Sequence, residues 1–160
     1  MIQLATREVK IAGIIPEPNG EWMRQIGRNL VDIESGFLAG SKYLIHDRGS
    51  AFTKEFREVL VSSGVKPIRL PRKSPNLNAY AERWVRSARE MCIDRLIFFG
   101  EDSLRHAVAE METFYNRERA HQGLANSIIN PFVEEQEEEG VIDCRSRLGG
   151  LMNYYYRKAA

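Results

Sequence analysis

Two carboxylates, and the arginines around one of them, are the residues of this chain best suited to chemistry. Asp47 ends the apolar run "YLIH" and is followed by Arg48 and Gly49; Glu82 lies beyond 34 intervening residues, inside "NAYAERW". A carboxylate at the carboxyl end of a strand stands where open α/β sheets bind ligands, although Asp before Arg-Gly is also ordinary turn chemistry. Glu82 falls in the first turn of a helix, where the macrodipole favours the ionised form. A solvated helix face with local ion pairs, each worth a few tenths of a kcal/mol, accounts for Glu82 taken alone. It does not account for the charge on either side. Lys66, Arg69, Arg72, Lys73, Arg83, Arg86 and Arg89 enclose Glu82 as the only acid of that stretch, a local balance of +6 in a chain whose total is +1. Positive charge concentrated in this way suits a phosphate backbone; the plain alternative is a solvated charged surface. Asp47 and Glu82 in such surroundings suit Mg²⁺, a hard cation that takes oxygen ligands and keeps several waters. A pair of such ions, roughly 3.5–4 Å apart, activates an attacking oxygen and stabilises a leaving one, and that chemistry usually wants a third carboxylate.

The elements that must position these groups are legible in outline. "REVKIAGIIP" (7–16) is rich in β-branched residues and reads as a strand, the second arm of a hairpin with "MIQL". "PNGEWMRQIGRNLVDIESG" places Trp22, Ile26, Leu30 and Ile33 at helical spacing, with Asn19 as cap and Ser35-Gly36 as stop. "SKYLIHD" predicts a short strand with apolar residues on both faces, as if covered from both sides. "TKEFREVLVSSG" predicts a helix with Phe56 and Leu60 inward, ended by Gly64, and "VKPIRL" a brief strand kept to an edge by Pro67. After the loop "PRKSPNLN" a long helix is predicted from Ala79 to Phe98, with Ala81, Trp84, Val85, Ala88, Met91 and Cys92 on its apolar face. "SLRHAVAEMETFYNRER" predicts a further helix on a stripe of Leu104, Val108, Met111 and Tyr115. An irregular return, the acidic connector "EEQEEEG" and a terminal hairpin around Gly149-Gly150 complete the chain. Strands alternating with helices, followed by helices, make an α/β layered domain.

Composition narrows the class. A chain of 160 residues, 43% hydrophobic and 28% charged, is globular and long enough for one real core. Cys92 and Cys144 stand apart, with no metal-ligand spacing and no disulfide framework, which points to a reducing compartment. No run is long and apolar enough to span a bilayer, and the first residues lack the regions of a signal peptide. His46 alternates to the strand face opposite Asp47 and reads as structural; His121 reads as ordering its loop. Trp22 and Trp84 stand at core spacing. Tyr154, Tyr155 and Tyr156 beside Arg157 and Lys158 read as a strand with one packed face rather than as base-stacking residues.

Four ordered blocks, "HDRGSAFT", "PRKSPNLNAYAERWVRSARE", "CIDRLIFFGE" and "FYNRERAHQGL", resemble the catalytic core of bacterial transposases of the integrase-core type, which are similar to retroviral integrases. The resemblance covers roughly residues 1 to 130, and the terminal "RSRLGGLMNYYYRKA" is similar to the tail of a subset of these proteins. It implies a ribonuclease H-like α/β fold with a mixed central sheet flanked by helices. It further implies a core over residues 1–133 and, over 134–160, a tail made of the connector and the hairpin. It also implies DNA partners (transposon ends and target), a homo-oligomer as an option, no membrane, and a cytoplasmic, nucleoid-associated place in a bacterium. In the family three acids bind two Mg²⁺ ions for strand transfer. Asp47 matches the second and Glu82 the third, with a separation close to the usual one, and the Asn76–Asn78 loop is the entry to the helix bearing the third acid.

The chain departs from the pattern at its start. The family's first acid has a context like "IDLATREV"; here the sequence is "MIQLATREV" and the matching position is Gln3. A neutral amide offers one oxygen without the charge, and neither Glu8 nor Asp32 stands in its place. The family's usual N-terminal helix-turn-helix region is also not in evidence. The expectation is therefore a truncated or inactive copy of a transposase core, with weak or partial Mg²⁺ binding at Asp47 and Glu82. The competing readings are a non-catalytic nucleic-acid-binding or assembly remnant of the same fold, and a nuclease of that fold.

Overall fold

A computed structural model describes residues 1–72, 75–132 and 140–158. Lys73 and most of the acidic connector lie outside the described residues. The chain divides into two compact units, one of residues 12–79 and one formed by residues 1–11 together with residues 80 onward.

The first of these units is built on two helices and a parallel strand pair. Helix α1, Gly20–Leu30, starts where the Asn19 side chain accepts a hydrogen bond from the Trp22 amide at 2.8 Å, the usual service of Asn to an orphan donor of the first turn. It buries Met23, Ile26, Gly27 and Leu30. The predicted stripe is corrected at its far end: the helix stops at Leu30 and Ile33 is 93% exposed. The cause is local. The Asp32 carboxylate accepts from the Glu34 amide, the Ser35 amide and the Ser35 hydroxyl, so these groups are taken by a side-chain turn that competes with another helical turn. Helix α2, Lys54–Ser62, is capped by Thr53 and buries Phe56 and Leu60, as expected. Its contact with α1 is close, because a Cβ added at Gly27 would meet Phe56 at 3.2 Å and Val59 at 3.3 Å. Gly64, at φ +80°, turns the chain out of α2.

Strands β1, Tyr43–His46, and β2, Lys66–Arg69, pair in parallel with Tyr43 opposite Lys66 and His46 opposite Arg69, joined through α2 as a parallel pair requires. β1 is the only partner of β2 among the described residues, so Pro67 deprives no second ladder of a donor. The expected double coverage of β1 is corrected. His46 is buried and Leu44 partly so, whereas Tyr43 and Ile45 on the other face are exposed.

In the other unit, helices α3, Ala79–Met91, and α4, Glu101–Arg117, enclose a small core with the terminal hairpin. Ala88, Cys92, Ala107, Met111 and Met152 form its centre, with Trp84, Met91 and Phe114 packed against it. Burying a residue such as Met111 is worth about 1.5–3 kcal/mol. The predicted helix from Ala79 to Phe98 is shorter: α3 ends at Met91, Cys92 leaves helical geometry, and a 3₁₀ turn follows at Ile93–Arg95. Cys92 is wholly buried at the break and its thiol donates to the Ala107 carbonyl at 3.7 Å. Val85, expected inside, is 49% exposed. On α4 the inward stripe is Ala107, Met111 and Tyr115, while Leu104 and Val108 are only partly covered. Strands β3, Val141–Arg147, and β4, Met152–Lys158, pair antiparallel through a 3₁₀ turn at Leu148–Gly150. Along β4, Tyr155 is exposed and its two neighbours are half-buried.

The N-terminal hairpin is the largest correction. Residues 1–11 make a single antiparallel bridge, Ile2 with Val9, rather than paired strands. Side chains of α4 stand in for a neighbouring strand. Asn116 accepts from the Val9 amide at 3.0 Å and donates to the Val9 carbonyl at 2.9 Å, and Glu112 accepts from the Ile11 amide at 2.7 Å. These backbone groups of Val9 and Ile11 are thus satisfied without a sheet. The described elements are helices mixed with two two-stranded sheets, compatible with an α/β integrase core; a single mixed central sheet is not among them.

Candidate functional site

Asp47 follows the last residue of β1 and is exposed. Its Oδ1 accepts the Gly49 amide at 2.7 Å, closing a side-chain turn, and the carboxylate remains open to solvent at the strand's carboxyl end. A Cβ at Gly49 would stand 3.0 Å from Asp47 Oδ1 and crowd this approach. Arg48 ties the same turn to the end of β2 by donating to the Leu70 carbonyl at 3.0 Å. His46 is buried, with Nδ1 2.7 Å from the Asp47 carbonyl oxygen and its ring 4.7 Å from that of Phe52. Burial lowers its basicity, partly offset by the bond to Asp47, so it is a neutral, structural imidazole that holds the Asp47 peptide in place.

Glu82 lies in the first turn of α3, exposed, after a 3₁₀ turn at Pro75–Asn78 that leads the chain into the helix. Arg83, Arg86 and Arg89 follow on exposed positions of the same helix. Arg89 is partly neutralised by Asp94 at 3.3 Å, a partner just beyond the basic stretch; Arg83 and Arg86 have no carboxylate partner among the described residues. Lys66 and Arg69 on β2, and Arg72 after it, are exposed in the other unit. Lys73 lies outside the described residues.

Gln3 sits in a tight turn. Its backbone amide donates to the Glu8 carbonyl at 2.8 Å, its carbonyl accepts from the Arg7 amide at 2.8 Å, and its side-chain Oε1 accepts from the Thr6 hydroxyl at 2.8 Å. The side-chain oxygen it could offer a cation thus already accepts one hydrogen bond. Among the described residues no group of three or more His, Cys, Asp or Glu side chains could hold a metal ion. Two carboxylates and an engaged amide do not fit a pair of divalent ions, whose mutual repulsion needs more negative charge than this set supplies.

Several working residues escaped the sequence reading. Glu118 is buried and accepts a fork from Arg147 (2.7 and 2.6 Å) as well as Arg145 at 3.1 Å, while Arg147 also reaches Glu110 at 2.8 Å. This network fastens the terminal hairpin to α4. Its only signal in the sequence is the Arg-x-Arg alternation at 145 and 147, which puts both guanidiniums on one strand face. Arg7, at φ +68°, stacks its guanidinium 3.9 Å from the Tyr80 ring centroid. His121 bonds to the Tyr115 carbonyl at 2.8 Å and so orders its loop, as expected.

Among the described residues no helix is long and apolar enough to cross a membrane. No curated protein matches the chain. Residues 63–127, with Glu82, the arginines of α3 and the "FYNRERAHQGL" block, match the family model of the integrase core domain, which bears out the resemblance to integrase and transposase catalytic cores; the block that carries Asp47 lies outside the matched residues.

Proposed function

We propose that this chain is a transposase or integrase core that acts on DNA, with Asp47 and Glu82 as its acids and with Gln3 in place of the first acid. The observation that carries the reading is the integrase-core match over residues 63–127. The exposed arginines of α3, two of them without a carboxylate partner, support it, because such charge is best used against phosphates. The parallel β1–α2–β2 unit is consistent with part of a ribonuclease H-like core, with residues 134–160 as a tail to it.

On this reading Lys66, Arg69, Arg72, Lys73, Arg83, Arg86 and Arg89 bind the backbone and carry no sequence information. The acids supply oxygen ligands for at most one Mg²⁺ held well, and the chain as it stands performs little or no two-ion strand transfer. The test is duplex binding measured across a salt series. Binding should be weak, indifferent to sequence and steeply salt-dependent, and Arg72→Ala with Lys73→Ala should lower affinity for all sequences alike. An affinity that does not change with salt would remove the DNA reading.

A further inference from the structure

Three arginines from distant parts of the sequence gather in the unit formed by residues 1–11 and 80 onward. Arg7 lies over Tyr80 at the start of α3. Arg83 is one helical turn further along that helix, and Trp84, its neighbour, meets Tyr115 edge-on with ring centroids 6.4 Å apart. Arg119 lies 5.4 Å from the Tyr115 centroid. The Tyr115 phenol is pushed up from its usual value of 10.0 by burial, and Arg119, Arg7 and Arg83 all pull it down, so its hydroxyl lies in the field of all three guanidiniums. None of the three has a carboxylate partner among the described residues. The acid beside Arg119 in the sequence, Glu118, is buried and committed to Arg145 and Arg147. The Trp84 indole N–H is buried and has no acceptor among the described residues. The guanidiniums can only donate, and the Tyr115 phenol can donate as well as accept. Arg7 holds its place by donating to the Leu4 carbonyl within the turn that also engages Gln3.

We propose that Arg7, Arg83 and Arg119 form a phosphate-binding cluster, with the Tyr115 hydroxyl as its neutral donor and the adjacent Trp84 indole as its reporter, and that its ligand is a phosphodiester of bound DNA. The source of the phosphate rests on the DNA reading above; the anion site itself does not. Guanidinium forks match phosphate oxygens in pairs, and fixing one phosphate on the helix that bears Glu82 would set the register of a strand along it. Arg7 and Arg119 lie outside the basic stretch visible in the sequence.

The test uses the full chain and the triple variant Arg7→Gln/Arg83→Gln/Arg119→Gln, with the triple Lys variant, which keeps the charge, and Arg28→Gln, an exposed arginine at the end of α1, as controls. Circular dichroism melts establish that each is folded. Duplex binding is followed by fluorescence anisotropy over a salt series, and the two tryptophan indole resonances by ¹H–¹⁵N NMR during titration with an oligothymidylate and, separately, with inorganic phosphate. The Gln variant is expected to bind roughly tenfold or more weakly, with a salt slope shallower by about 0.9 for each duplex phosphate contact removed. The Lys variant should keep the slope, and Arg28→Gln should keep both. In the parent the Trp84 resonance should move with either ligand and the Trp22 resonance should not. Duplex binding by the parent with unchanged slope and affinity in a folded Gln variant would overturn the cluster while leaving the DNA reading intact. A Trp84 response to inorganic phosphate that is lost in the Gln variant, in a chain that binds no DNA, would sustain the anion site and remove its DNA source. No Trp84 response to either ligand would overturn the proposal.

Discussion

Replacing Arg147 with Met should loosen the terminal hairpin and destabilise the unit built on α3 and α4. The Glu118 side chain is 0% exposed and Arg147 is 11% exposed. Among the described residues Arg147 supplies two of the hydrogen bonds that Glu118 accepts, at 2.7 and 2.6 Å, and Arg145, itself 31% exposed, supplies another at 3.1 Å. The Met variant keeps most of the buried stem but leaves a carboxylate without water and with one partial partner. Breaking a buried pair in this way costs about 3–5 kcal/mol. At roughly 2–4 °C per kcal/mol for a chain of this length, the melting temperature should fall by about 6–20 °C. Glu118→Gln is the informative contrast. It leaves Arg147 with Glu110 at 2.8 Å and Arg145 in contact with solvent, so about 1–3 kcal/mol is expected. Combining the two removes the stranded charge, and the double variant should be more stable than Arg147→Met alone. Acid should act on the same network. Burial pushes the Glu118 carboxyl up, but the hydrogen bonds and charges of Arg147 and Arg145 together bring it below the usual 4.5. Its folded pKa lies below its unfolded one, so its contribution is complete above about pH 4.5 and is lost as pH falls through the folded value. Urea unfolding of the four proteins at neutral pH, and of the parent down to pH 3, measures all of this. A cost below about 1 kcal/mol for Arg147→Met would refute the claim that the hairpin is held through Glu118.

Asn116→Ala should cost about 3 kcal/mol in chemical unfolding, because it strands both the amide and the carbonyl of buried Val9; amide exchange at Val9 should quicken in step. Gly27→Ala should destabilise despite the roughly 1 kcal/mol helix-propensity gain, since the added carbon meets fully buried Phe56 at 3.2 Å and overpacking costs about 1–3 kcal/mol. His121 is held below its usual 6.5 chiefly by burial, with the bond to Tyr115 opposing and Arg119 reinforcing. The unfolded state therefore binds the proton first, and stability should fall as pH drops below about 6.5, a loss that His121→Asn should reduce in pH-dependent melts. Gln3→Asp should strengthen Mg²⁺ binding in calorimetric titration, with Asp47→Asn and Glu82→Gln each weakening it; strong Mg²⁺-dependent nicking of a labelled duplex by the unmodified chain, lost in Asp47→Asn, would show that Gln3 has been misjudged.

What the sequence determined by itself about this protein was short-range in origin. Asn19 and Thr53 announce their helices because a capping side chain reaches an amide three residues away. Gly64 marks the exit from α2 because its backbone takes a positive φ. The end of β1 at Asp47, the terminal turn at Leu148–Gly150 and the integrase-like blocks around Glu82 were legible for the same reason: each is written in adjacent residues. Where local reading failed nearby, at Ile33, a competing local bond from Asp32 ended α1 early. Tertiary structure alone decided the rest. The hydrophobic pattern of residues 7–16 asks for a strand, and nothing within it says that Val9 and Ile11 will find their partners on Asn116 and Glu112, more than a hundred residues away. Glu118 looks like a surface acid between two arginines until the fold buries it against Arg145 and Arg147. Arg7 is unremarkable by itself and finds the Tyr80 ring only when the first turn of the chain is laid against the start of α3. A backbone amide donates to any suitable oxygen and a guanidinium to any suitable carboxylate or ring face, so residue type sets what each group can bond, and the packing of distant elements selects which bond forms.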